Sequence, residues 1–354
     1  ALIDAGAALD MVNNNGWTAL MFACIKGHHE CALALVDAGA SVDMVNNYGS
    51  TALMIACASD HHACAEALID AGATVDMVDN DRGTALNTAC DEGHHECAQA
   101  LLVAGAAVDG VDNYGETALM RACDFGRHEC AQALIDANAA VDMVNNNGWT
   151  ALMKACDYGH HECAQALVDA GAAVEMVNND GYTALMRACD FGHHECAQAL
   201  IDAGAAVDMV NDYGGTALMW ACVLCNIGCA RASTVARAAV LLVDNDGRTA
   251  LVWACIFGHH ECAQALIVAG AALDMVDNEG STALMDACIR GHHECAQALI
   301  VAGAAVDMVN NGGWTALMVV CNCGHLECAQ ALIEAGAAVD MVTNYGRTAL
   351  MRAC

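Results

Sequence analysis

The sequence predicts an all-α solenoid of stacked helix–turn–helix repeats with projecting β-turn fingers. Three observations lead there. A Thr-Ala-Leu motif returns with its Thr at 18, 51, 84, 117, 150, 183, 216, 249, 282, 315 and 348, every step 33 residues long. A fixed period in that range marks a repeat architecture. Each period carries two short helix-forming runs and then a turn rich in Asn, Asp and Gly, and a run of that length buries its apolar face only by stacking on neighbours.

The stretch from Thr18 to Thr51 shows how one repeat is built. Thr18 is placed as an N-cap, and Ala-Leu-Met-Phe-Ala-Cys follows as a helix-forming run. Gly27 ends that run as a left-handed residue would. A second helix is expected over about His29–Ala38, with Leu35 and Val36 buried and Gly39 closing it. Ala-Ser-Val-Asp-Met-Val-Asn-Asn-Tyr-Gly then extends outward and turns back, because Asn-Asn-x-Gly supplies turn chemistry. Helices of about ten residues are too short to be stable alone in water. The many alanines keep them slim, and ten repeats at about 8–10 Å spacing would make a curved rod roughly 100 Å long.

Residues 1–354 read as one continuous array. Residues 1–17 hold the second helix and turn of a partial repeat, ten full repeats begin at Thr18 through Thr315, and 348–354 open another partial repeat. The chain starts and stops mid-repeat, so it is expected to be a segment of something longer. In the second full repeat Asp60 replaces the Gly between the helices, and Asp81-Arg82-Gly83 moves the turn Gly by one place before Thr84. The repeat over 216–248 diverges most. It loses Gly-His-His-Glu-Cys, reads Ser233-Thr-Val-Ala-Arg237 for Leu-Ile-Asp-Ala-Gly, and is expected to be the weakest repeat, a candidate flexure.

This pattern resembles the ankyrin repeat, over the whole chain. The residues that carry the match are Asn13, Gly16, Thr18, Leu20, Ala23, Gly27, His28, Leu35, Gly39, Ala40 and Asp43, repeated ten times. Two departures are systematic. The family's Pro after Thr is Ala19 and its equivalents, and the family's His after Leu is Met21 and usually Met. Somewhat looser helix starts are expected from both. The resemblance implies a non-enzymatic protein-interaction scaffold whose concave face is made of turn tips and first helices.

Charge and composition narrow the partners. A net charge of −31 argues against nucleic acid and anionic membrane surfaces, which demand basic protein surface. No apolar run approaches the roughly 18 residues of a membrane helix, because Asp, Asn, His or Glu interrupts each one. The 23 Cys recur at two positions per repeat, such as Cys24 and Cys31, which suits buried free thiols in an intracellular, reducing compartment. Another protein, or a subunit of a complex, is the expected partner.

Comparing the repeats with one another locates the variable positions. The second helix, Glu-Cys-Ala-Gln-Ala-Leu-Ile, hardly changes. The 15 aromatic residues all fall elsewhere. Tyr48, Tyr114, Tyr213 and Tyr345 lie at turn tips, and Trp17, Trp149, Tyr182 and Trp314 just before Thr. Phe22, Trp220 and Trp253 lie on first helices, and Phe125, Tyr158, Phe191 and Phe257 near their ends. Arg121, Lys154 and Arg187 share one position in three successive repeats, a basic ladder beside Phe125, Tyr158 and Phe191 interleaved with Asp124, Asp157 and Asp190. Aromatics and Arg are the residue types enriched in binding hot spots, so these 18 residues form the candidate partner-binding set.

Other chemistry is weighed and set below that. His28-His29-Glu30-Cys31 has zinc-type ligands, but adjacent helical residues point about 100° apart. At best His28 and Cys31 with Cys24 would share an ion, while all three match positions the family uses structurally. Cys222, Cys225 and Cys229 form a C-x2-C-x3-C cluster that also reads as packed thiols. Protonating the 16 His would roughly halve the net charge, giving a pH-dependent surface. Asp37 and Asp43 read as a solvated acidic surface. No nucleophile–base set or phosphate loop stands apart from the repeat, so no catalytic residue, metal or cofactor is assigned. Two alternatives to the scaffold stay open: a structural spacer bridging subunits of a larger assembly, and a His/Cys metal-binding or redox array.

Overall fold

The computed structural model describes residues 1–353, which divide into two compact bodies, Ala1–Asn179 and Asp180 onward. Each is described on its own.

The first body contains α1 (Ala19–Ile25), α2 (His29–Asp37), α3 (Ala52–Ala58), α4 (His62–Asp70), α5 (Ala85–Glu92), α6 (His95–Val103), α7 (Ala118–Asp124), α8 (His128–Asp136), α9 (Ala151–Tyr158) and α10 (His161–Asp169). Odd-numbered helices pack on odd, even on even, and each odd helix packs on the even helix that follows it. The second body repeats this with α11 (Ala184–Phe191), α12 (His194–Asp202), α13 (Ala217–Val223), α14 (Ile227–Val235), α15 (Ala250–Phe257), α16 (His260–Val268), α17 (Ala283–Arg290), α18 (His293–Val301), α19 (Ala316–Cys323), α20 (Leu326–Glu334) and α21 (Ala349–Ala353). The helices are shorter than expected, 7 to 9 residues in each full repeat. Residues 1–17 form turns and no helix, since the first five have no preceding helix to pack on and one turn cannot hold itself.

The threonines make every first helix start alike. Thr18 Oγ accepts from the backbone N–H of Met21 at 3.2 Å, and the same bond recurs at Thr51, Thr117 and Thr150. Such a cap contributes about 1 kcal/mol. The loose starts expected from the missing Pro are therefore not seen: the capped Thr holds the same extended backbone each time, φ −92° at Thr18 and −86° at Thr51.

The core is built from the repeated frame. Leu20, Met21 and Cys24 are buried in the first repeat, and their equivalents in the later full repeats follow suit except Cys321, which is half-buried. Leu68, Leu101 and Leu134 are fully buried, whereas Leu35 is only half-buried because no second helix precedes α2.

Non-glycine residues fill several left-handed positions. Asp60 takes φ 57° where most repeats have Gly, and Arg82 takes 65° in the finger before Thr84. The Gly83 displacement is thus a change of residue and not of turn. Asn138, Cys225 and Arg237 do the same. The divergent repeat keeps both helices at regular spacing. Cys225 and Arg237 accept the left-handed backbone that Gly adopts elsewhere, at a cost of roughly 1 kcal/mol each.

Candidate functional site

The finger turns are side-chain-clamped and stitched to their neighbours. Asn46 Oδ1 accepts from the backbone N–H groups of Tyr48 at 2.9 Å and Ser50 at 3.0 Å, which closes the turn. The next residue, Asn47, donates from Nδ2 to the carbonyl of Asn14 at 3.2 Å, and Asn80 donates to Asn47 at 3.1 Å. In the second body the same ladder runs Asn245 to Asp212, Asn278 to Asn245, Asn311 to Asn278 and Asn344 to Asn311. The tips carrying Tyr48, Tyr114, Tyr213 and Tyr345 are therefore fixed platforms, each with its ring exposed.

The Asp that follows most second helices is also structural. Asp43 Oδ1 accepts from Thr74 N–H at 2.9 Å and Asp142 Oδ1 from Ala173 N–H at 2.8 Å, each one repeat onward. Asp43 is thus a bonded link between repeats and not merely solvated surface, which corrects the sequence reading.

The first His of most pairs is the third link. His94 Nδ1 lies 2.7 Å from the Cys57 carbonyl oxygen, and His160 Nε2 3.1 Å from that of Asp124. Where the His is replaced, the bond survives. Arg127 Nε donates to Asp91 O at 3.1 Å, and Asn226 Nδ2 donates to Cys189 O and Asp190 O at 2.8 and 2.9 Å. Gly126, at φ 67°, lies directly against the His160 ring, so a Cβ there would collide with it. The second His does not follow a single rule: His62 and His161 are exposed, whereas His29 and His95 are half-buried.

The cysteines divide by environment. Cys24, Cys57 and Cys90 are buried, while Cys31, Cys225 and Cys323 are exposed. Burial pushes the Cys24 thiol up to about 12, with Cys64 of the next repeat adding to it. Cys222, Cys225 and Cys229 do not all converge: buried Cys222 and exposed Cys225 both approach Cys262, whereas Cys229 Sγ points at the Ala188 carbonyl at 3.7 Å. Among the described residues no group of three His, Cys, Asp or Glu side chains is placed to hold a metal ion.

All 18 candidate partner-binding residues lie on fingers or first helices or at the turn just past them, and none is buried. Phe22, Phe125, Tyr158, Phe191 and Phe257 are exposed with the finger tyrosines. Trp17, Trp149, Tyr182, Trp220, Trp253 and Trp314 are half-buried. They lie against neighbours on the same face: Trp17 meets Phe22 with centroids 5.4 Å apart, Tyr182 meets Trp220 at 5.5 Å, and Trp253 stacks on Phe257 at 5.8 Å.

The basic positions behave differently from one another. Arg187 sits over Phe191 at 4.8 Å and over Tyr182 at 5.2 Å, and Nη1 reaches Asp190 at 3.3 Å. Lys154 stands 6.0 Å over Trp149, but its Nζ also pairs with Glu116 at 3.0 Å and Asp124 at 3.4 Å. Arg121 pairs with Asp112 at 3.0 Å and with Asp91 and Glu116 at 3.7 Å. Burial opposes the charge on Arg121 and Lys154, but their carboxylate partners outweigh it and hold both pKa values above normal. Burial raises Asp91 and Asp124 despite those cations. Arg121 and Lys154 are thus neutralised within a carboxylate network.

Sequence reading missed two features. Asp286 occupies the first-helix position of Arg121 and Trp220. Burial, reinforced by Asp277, pushes its carboxyl up to about 6 against the opposing effect of Arg248 and Arg290, and its Oδ2 has no hydrogen-bond partner. The second is an aliphatic strip on the second helices of the second body, where Val235, Val268 and Val301 are 83, 79 and 77 % exposed. The signal was in the sequence: Val stands at these positions, as it does at Val103, where most other repeats carry Asp.

The family model described as "Ankyrin repeats (3 copies)" matches residues 1–79, 71–145, 89–178, 137–211, 170–232, 233–308 and 290–354. Among solved structures, the chain is similar to the human ASB11 ankyrin repeat domain, at 29% identity and a TM-score of 0.53, over 57% of this chain and 90% of that one. It is also similar to the ankyrin repeat domain of Bcl-3, described as a unique member of the IkappaB protein family, at 27% identity and a TM-score of 0.53, over 58% and 95% respectively. No curated protein sequence matches the chain.

Proposed function

Because the chain belongs to the ankyrin-repeat family, whose repeats are generally protein–protein interaction modules, we propose that it is a non-enzymatic scaffold that binds a partner protein on its finger and first-helix face. One observation carries this reading. Nine aromatic rings are exposed, those of Phe22, Tyr48, Tyr114, Phe125, Tyr158, Phe191, Tyr213, Phe257 and Tyr345, and within each body every one lies on a finger, a first helix or the turn just past one. Exposed rings on a rigid frame offer large contact area at little entropic cost. The fingers beneath them are held by the asparagine ladder, so the face is organised before a partner arrives.

The partner is a protein and not nucleic acid, since the chain carries 43 acidic against 12 basic residues. Among the described residues no helix is long and apolar enough to cross a membrane. The test is capture of a partner from the native source by the wild-type chain and by the triple variant Phe125→Ala, Tyr158→Ala, Phe191→Ala. Loss of a specific partner with unchanged helical circular dichroism is expected. Equal capture by the variant overturns the assignment of the face.

A further inference from the structure

The position just before the capping Thr carries a side chain that lies on an aromatic ring in several repeats. Trp17 packs on Phe22 and Arg248 on Trp253 within their own repeats, while Tyr182 packs on Trp220 of the repeat that follows. Arg248 shows the full arrangement. Its Cζ is 5.1 Å from the Trp253 centroid, its Nη1 is 3.2 Å from Asp246 Oδ2, and its Nε is 3.8 Å from Asp277 Oδ2 on the next finger.

One repeat earlier the same place is vacant. Gly215 stands where Arg248 does, Trp220 where Trp253 does, and Asp244 where Asp277 does. The indole and the next finger's carboxylate are both present, residue 215 contributes no side chain between them, and the Trp220 Nε1 edge lies 3.0 Å from where a Cβ on Gly215 would stand. A cavity of about 430 Å³ opens there, lined by Gly215, Trp220, Tyr213, Asp244, Asp246 and Trp253 among others. Tyr182 meets the Trp220 ring, and among the described residues no Lys or Arg lies over it. Asp244 Oδ2 accepts from Trp253 Nε1 at 2.8 Å, which holds the carboxylate in place.

We propose that this cavity takes an arginine side chain of the partner protein, its guanidinium against Trp220 and facing Asp244. The inference rests on the scaffold reading and names the chemistry of one contact within it. One repeat onward the protein's own Arg248 lies between an indole and carboxylates of the same register. A cation is attracted by the face of an indole, more so when partly desolvated, and a chain of net charge −31 favours a basic partner surface. A bare apolar side chain would fill the walls but leave Asp244 without a counter-charge, since Arg248 already pairs with Asp246.

The test is a titration of the full chain, followed through the indole N–H signals of its five tryptophans at 150 mM salt, with N-acetyl-argininamide as probe. The Trp220 signal, assigned with Trp220→Phe, and that of Trp253 shift saturably. The uncharged isostere N-acetyl-citrullinamide binds at least tenfold more weakly. Gly215→Arg, which places a guanidinium in the slot from within the chain, abolishes the shift. Trp220→Leu, which keeps the wall apolar, weakens binding at least fivefold. Equal binding of the citrulline probe, or a common unsaturable drift of all five signals, overturns the proposal. The scaffold reading fails separately: the arginine probe can fail while partner capture still depends on the exposed rings, and it can bind while capture does not.

Discussion

The Oγ of Ser233 lies 4.0 Å from the Sγ of Cys189, in a fully buried place where the adjacent repeats put Leu200 and Leu266. A hydroxyl against a thiol replaces a leucine inside a packed helix pair. The divergent repeat therefore lacks apolar volume at the centre of its second helix. Ser233→Leu is expected to stabilise the chain by about 2 kcal/mol, the reverse of a large-to-small core change. A urea midpoint no higher than wild type would show that the backbone has already closed around the serine.

The histidine links predict a graded series. His160→Ala removes the bond to the Asp124 carbonyl and is expected to cost about 1 kcal/mol. His160→Asn should lose less, because Asn226 makes the equivalent bond in its own repeat. Chemical denaturation of the three proteins checks the order wild type, Asn, Ala.

Asp286 sets a pH dependence. Its folded pKa, about 6, lies above the ordinary 3.8, so the folded state holds the proton more tightly than the unfolded chain. The stability this brings is complete below about pH 4 and is lost as pH rises through about 6. Asp286→Asn removes the dependence and is expected to gain about 2 kcal/mol at pH 7. Melting midpoints at pH 4, 5, 6 and 7 should converge for the two proteins at the acid end. Parallel curves would refute the assignment.

The Glu116–Lys154 pair predicts non-additivity. Lys154→Met strips Glu116 and Asp124 of a cation 3.0 and 3.4 Å away and is expected to cost about 2 kcal/mol. Adding Glu116→Gln should recover part of that, because Asn145 Nδ2 and Arg121 still bond or flank the amide. A double variant as unstable as the sum of the singles would mean the two side chains do not interact.

Much of this architecture was written in the sequence. The 33-residue step, the capping Thr18 and the buried Leu20 and Cys24 follow from local chemistry repeated many times, so each inference was checked against its own copies. What stayed hidden was contact between repeats. Asp43 and Asn47 look like solvated polar residues because their partners, Thr74 N–H and the Asn14 carbonyl, belong to other repeats. Backbone partners leave no residue-type signature. The ladder of Arg121, Lys154 and Arg187 was visible as a shared register position, but the fate of each cation depended on its neighbours. Glu116 and Asp112 draw two of them into ion pairs, whereas Arg187 pairs with Asp190 and also lies on Phe191 and Tyr182. The second helix was read one residue too long because Ala38, expected inside it, is its C-cap, with the left-handed Gly39 beyond.

The bonds that join repeats have fixed reach along the chain: 31 residues for the Asp links, 33 for the asparagine ladder, and 36 or 37 for the histidine links. This has a consequence for heredity. Near-identical copies invite unequal recombination, and a crossover that drops or adds a whole 33-residue copy returns every severed donor to an equivalent acceptor. A change of any other length strands all three sets at once. Copy number can thus drift freely in a lineage while spacing cannot, and the unbroken 33-residue step from Thr18 to Thr348 is what such a filter leaves behind.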